Sequence, residues 1–128
     1  MKKLAEVEKL LLKEWGDLVS DIIYLNDARK MRVRFKKPLD DAFLDVYLSS
    51  LDDKTYAYHF QLLDGTMYRL DTYPGERRAK SLATYPVHFH AETQQNVVEP
   101  PFPIKRQYLD DFRSFISYIL SILTTERL

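Results

Sequence analysis

The chain reads as an α+β domain, an antiparallel β-meander flanked by N- and C-terminal α-helices packed on one sheet face. Three observations lead there. Apolar residues recur at three- and four-residue spacing towards both ends, and between those ends the spacing falls to two. Turn sequences separate the period-two runs. At 128 residues the chain is most simply one domain over 1–128. The patterns predict a helix over about 2–18, a sheet over about 20–98 and a second helix over about 105–124.

The first helix rests on Leu4, Val7, Leu11, Trp15 and Leu18, with Gly16 near its end. Then the period changes. "MRVRF" sets Met31, Val33 and Phe35 against Arg32 and Arg34, and "AFLDVYL" sets Leu44, Val46 and Leu48 against Asp45 and Tyr47. "TYAYHFQL" sets Tyr56, Tyr58, Phe60 and Leu62 against His59 and Gln61, and "YRLDTY" and "YPVHFH" continue the habit. The turns are "KPLDD", "LDDK", "LDG" and "YPGE". "EPPFP" cannot be regular helix or central strand and reads as an extended connector. The second helix carries a broad apolar stripe of Tyr108, Leu109, Phe112, Phe115, Ile116, Ile119, Leu120 and Leu123. Asp110 and Asp111 fall early in it, at the positive end of its dipole.

One hairpin register can be argued in advance. A two-residue turn at Asp64-Gly65 would pair Phe60 with Arg69 and put a guanidinium on the core face. A three-residue loop, Leu63-Asp64-Gly65 with a left-handed glycine, pairs Phe60 with Tyr68 and His59 with Arg69. The second register keeps apolar with apolar and gathers His59, Gln61, Arg69, Asp71, His88 and His90 on one face.

Composition excludes several classes. Nineteen basic and nineteen acidic residues cancel, so the global charge of a nucleic-acid binder is absent and only local patches could supply it. There is no cysteine, hence no disulfide, thiolate nucleophile or Cys-rich zinc site. Charges interrupt the N-terminal segment too often for a signal peptide, and no apolar stretch is long enough to cross a bilayer. A cytoplasmic setting without membrane contact is the expectation. No GxGxxG, Walker A, HExxH or GxSxG motif is present.

Three constellations carry chemistry. His88 and His90, one residue apart, would project from the same side of a strand into solvent. They suit a general base and acid, since an unperturbed imidazole titrates at about 6.5. They equally suit a metal pair whose third ligand would be His59, Asp71 or Glu92, or a hydrogen-bonded surface pair. Arg69 and Asp71 share the same spacing and suit either an ion pair, or phosphate binding by Arg69 with Asp71 orienting a histidine. "RKMRVRFKK" holds six basic residues in nine. Its Arg32, Arg34 and Lys36 form a positive stripe suited to a phosphate backbone or to a charge-protected strand.

"MRVRFKKPLDDAFLDVYLSS", "YAYHFQLLDGTMYRLDTYP", "LATYPVHFHAE" and "NVVEPPFPI" together resemble the TumE family, the toxin halves of archaeal and bacterial toxin–antitoxin pairs. The most specific steps are Tyr68-Arg69-x-Asp71 and Pro86-x-His88-x-His90. The resemblance implies a cognate antitoxin, often a DNA-binding protein encoded nearby. With the residue chemistry it yields an expected toxin that cleaves or binds RNA, using His88, His90, Arg69 and Asp71 as catalytic residues. One histidine would take the ribose 2′-hydroxyl proton, the other would protonate the leaving 5′-oxygen, and Arg69 would stabilise the transition-state charge. Arg32, Arg34 and Lys36 are the expected nucleic-acid contacts. No metal is assigned and the cofactor stays unknown. A non-enzymatic binding domain and a metal-dependent hydrolase using the histidine pair are the alternatives. A homodimer through a sheet edge or the C-terminal helix is left open.

Overall fold

The period-two runs become strands of one sheet, and the period-3.6 runs become helices on its apolar side. A computed structural model describes residues 2–127; Met1 and Leu128, the ends of the expected domain, lie outside the described residues. Helix α1 (Lys2–Trp15) leads through a 3₁₀ turn (Gly16–Leu18) into the strands. These are β1 (Val19–Leu25), β2 (Lys30–Phe35), β3 (Phe43–Leu48), β4 (Tyr56–Gln61), β5 (Met67–Asp71), β6 (His88–Glu92) and β7 (Val97–Val98). Helix α2 (Tyr108–Arg127) follows. All seven strands pair in sequence order, each antiparallel to the next.

Residues facing the helices align in rows across the sheet. Met31, Val46, Tyr58, Leu70 and Phe89 are successive cross-strand partners, as are Val33, Leu44, Phe60, Tyr68 and Ala91. Leu4, Val7 and Leu11 of α1 and Phe112, Phe115, Ile116 and Ile119 of α2 complete that core. Tyr58 meets Phe112 edge-on at 5.2 Å. Aromatic pairs of this kind add to area burial.

Strand β1 escaped the period-two reading because its alternation is broken. Val19 pairs with Phe35 and Asp21 with Arg34, so Ser20 is the extra residue of a bulge. Both helices also shift from their expected bounds. The first turns 3₁₀ at Gly16, a poor helix former. The second starts at Tyr108, where the Gln107 side chain accepts the Leu109 and Asp110 N–H groups, each at 2.9 Å. The hairpin register is as argued: His59 faces Arg69, Phe60 faces Tyr68, and Gly65 has φ +93°.

Two adjacent acids at the start of α2 behave differently. Asp110 is exposed, as a dipole-complementing residue can be, whereas Asp111 is fully buried. Asp111 accepts the Lys105 N–H at 2.9 Å, the Arg106 N–H at 3.0 Å and the Tyr56 hydroxyl. It ties the proline-rich connector to both the helix and β4. Removing it would orphan the buried Tyr56 hydroxyl and two part-buried N–H groups, so Asp111→Ala should cost about 3 kcal/mol in urea unfolding. Asp110→Ala should cost at most about 1 kcal/mol. Equal losses would contradict the anchoring role.

Candidate functional site

The face turned away from the helices is a grid of polar side chains. One row runs Arg32, Asp45, His59, Arg69, His90 on strands β2 to β6. The next runs Lys30, Tyr47, Ala57, Asp71, His88. The gathering of His59, Gln61, Arg69, Asp71, His88 and His90 on one face is therefore as expected. The β5–β6 register adds what counting residues could not. Arg69 stands opposite His90, and Asp71 opposite His88.

One expectation fails. His88 and His90 do lie on the polar side, but each is only 1% exposed rather than facing solvent. The backbone folds back to meet them. His88 Nδ1 lies 2.8 Å from the Pro86 carbonyl, and His90 Nδ1 lies 2.8 Å from the Gln94 carbonyl. The second contact depends on the β6–β7 turn, which begins at Glu92 in the left-handed region (φ +71°). A carbonyl only accepts, so Nδ1 carries the proton in both rings, and in the neutral imidazole Nε2 then keeps the lone pair. The rings meet edge-on, with centroids 5.0 Å apart. Truncating either ring would open a cavity and strand a carbonyl, so neither substitution is the mild surface change that solvent exposure would have made it.

Arg69 and Asp71 form a partly exposed pair. Arg69 Nε donates to Asp71 Oδ2 at 2.9 Å, and the Tyr73 N–H donates to Oδ1 at 2.9 Å. Arg69 also reaches across the strand, with Nη1 3.5 Å from His59 Nδ1. Guanidinium has no acceptor, so His59 takes the opposite tautomer. Its Nε2–H donates to Gln61 Oε1 at 2.8 Å. Burial lowers the His59 pKa, opposed by the Gln61 hydrogen bond and helped by the Arg69 charge. Burial also lowers the His90 pKa, opposed by its Gln94 hydrogen bond and by Asp71 and helped by His88 and Arg69.

The expected positive stripe divides. Arg32 makes a two-pronged contact with Asp45 at 2.8 and 2.9 Å and lies 4.4 Å over the Phe43 ring. Lys30 joins the same carboxylate at 3.2 Å. Burial alone would raise the Asp45 pKa, but these two cations outweigh it and hold it below the usual carboxylate range. Arg32 is thus bound into a structural ion cluster, while Arg34 and Lys36 are exposed. A concavity of about 410 Å³ opens over the central strands, lined by Lys30, Phe43, Asp45, Tyr47, Ala57, His59 and Arg69. Lys30 and Phe43 were not singled out from sequence as site residues, whereas Tyr47 was among the tyrosines weighed as platforms for stacked bases. Knowing the β2–β3 register would have aligned them with the histidine and arginine rows.

A ring nitrogen of His88, one of His90 and an oxygen of Asp71 lie within 4.8 Å of one another. Of the three candidates for a third metal ligand, only Asp71 joins the histidine pair. Glu92 is exposed at the end of β6 opposite Met67, and His59 belongs with Arg69 and Gln61. Comparison with protein-family models, curated proteins and solved structures finds no match to this chain.

The lowered His59 pKa has a consequence for stability. The unfolded chain binds the proton more readily, so this contribution is complete above about pH 6.5 and is lost as pH falls through the lower folded value. The urea midpoint should therefore fall between about pH 6.5 and pH 5, before ordinary carboxylates titrate. His59→Gln should flatten that fall in part, leaving the share of His90, which is shifted in the same direction. An unchanged slope in the variant would contradict the assignment.

Proposed function

We propose that the chain is a toxin of the TumE type that acts on RNA through its polar sheet face. Arg69, Asp71, His88 and His90 are its chemical centre. One observation carries this reading. The two sequence steps most specific to the resemblance lie on neighbouring strands, with Arg69 opposite His90 and Asp71 opposite His88. Partners 17 and 21 positions apart in the chain thus form one cluster.

The concavity beside the cluster supports the same reading. Arg69 offers a cation for phosphate, and the exposed ring of Tyr47 offers a platform on which a base can stack. Arg34, on β2 opposite Phe43, and Lys36, just beyond that strand, extend the positive surface. Burial of the two imidazoles argues against direct proton exchange with a ribose. In this reading Arg69 and Asp71, the more exposed members, meet the RNA, and the histidines act from beneath them. The partner is a cognate antitoxin, the DNA-binding protein that the resemblance implies.

Induced expression should arrest growth, and a co-expressed antitoxin should relieve the arrest. With purified protein, Arg69→Lys should weaken binding or cleavage of single-stranded RNA by about tenfold or more, because an ammonium cannot reproduce a planar two-pronged contact. Replacing Arg34 and Lys36 by Gln should instead reduce the salt dependence of binding, with a loss similar for all sequences. Harmless expression in several hosts, together with no RNA binding by folded protein, would overturn the reading.

A further inference from the structure

The Asp71, His88 and His90 cluster has the features of a metal centre, and we propose that it binds one divalent transition-metal ion of the zinc class. The ligands are Nε2 of His88, Nε2 of His90 and a carboxylate oxygen of Asp71. The inference rests on the cluster itself and does not require that the protein act on RNA.

Three observations carry it. The donor atoms converge, with one from each residue inside a 4.8 Å spread. Zinc with ligands at about 2.0–2.2 Å would hold them roughly 3.3 Å apart, which small side-chain rotations on these strands can supply. Each donor is also oriented by a second contact. The Pro86 and Gln94 carbonyls hold the two Nδ1–H groups, while the Tyr73 N–H holds the carboxylate. Metal-binding imidazoles are characteristically fixed in this way, with the far nitrogen donating to a carbonyl and the near one keeping its lone pair. Finally, the histidines are sequestered on a sheet, at 1% exposure each, where a surface pair would have needed no such arrangement.

The donor set selects the ion. Two imidazoles and one carboxylate suit zinc and its first-row neighbours, whereas magnesium and calcium prefer sites made of oxygen alone. Three protein ligands leave a fourth position for water or a bound group. The Arg69 guanidinium works against the ion electrostatically. It is partly exposed and also touches His59, so it can move towards the concavity while Asp71 keeps its Tyr73 contact.

The test is a zinc titration of the purified full chain after treatment with a chelator. The expected result is about one equivalent bound, micromolar or tighter, and a raised melting temperature, as for any ligand specific to the native state. Magnesium and calcium should not compete. Asp71→Asn should weaken binding by about tenfold or more, and His59→Gln should leave it unchanged. Because variants of the buried histidines can fail to fold, X-ray absorption on the zinc-loaded wild type supplies the decisive count of two imidazole ligands. No saturable zinc uptake, fewer than two imidazoles, or undiminished binding in folded Asp71→Asn would overturn the proposal. The titration contains no RNA, so its failure would leave the RNA reading standing. Zinc uptake without RNA binding would do the reverse.

Discussion

The register between β5 and β6 is the constraint on which the polar face depends. Leu70 faces Phe89 across that pair, and both are buried, Phe89 against Phe115 and Tyr118 of α2, each contributing about 1.5–3 kcal/mol of burial. Because side chains alternate, this apolar contact leaves Arg69 and Asp71 no choice but the opposite face, beside His90 and His88. A one-residue slip in either strand would turn its charged or imidazole side chains into the core. Core packing and the polar cluster are two sides of a single pairing.

That pairing also separates two electrostatic systems on the same face. Around Asp45, two cations and an aromatic ring close on one carboxylate, giving a self-contained ion cluster on β2 and β3. Around Asp71, the carboxylate accepts from a partly exposed guanidinium and a backbone N–H, with two imidazoles held by carbonyls close by. Arg69 stands between the two systems and borders both the concavity and the cluster. The three histidines differ for the same reason. His59 meets a donor at Nδ1, and the other two meet acceptors there, so neighbours on one sheet face take opposite tautomers.

How much of this was legible in the sequence depended on how local the determining contact was. The β4–β5 register could be derived because a short loop and one apolar pairing fixed it. The shared face of His88 and His90 followed from strand alternation, but their burial did not. It depends on the Pro86 and Gln94 carbonyls, and the second is positioned by a left-handed Glu92 that nothing in the residue types announced. The pairing of Arg32 with Asp45 was hidden by the connection between β2 and β3, too long and irregular to count across. Asp110 and Asp111 look equivalent as acids near a helix start. Only the path of the connector, which brings Lys105, Arg106 and Tyr56 to one of them, tells them apart. The bulge at Ser20 concealed β1 by interrupting its alternation.

The fold holds the His88 and His90 rings close to Asp71 through Nδ1–H groups that donate to backbone carbonyls. Long-range proton–nitrogen correlation spectra of the histidine side chains, recorded on the chelator-treated protein at neutral pH, read this directly. The expected result is the Nδ1–H tautomer for His88 and His90 and the Nε2–H tautomer for His59. Signals averaged between tautomers, or an Nε2–H form at either His88 or His90, would contradict it.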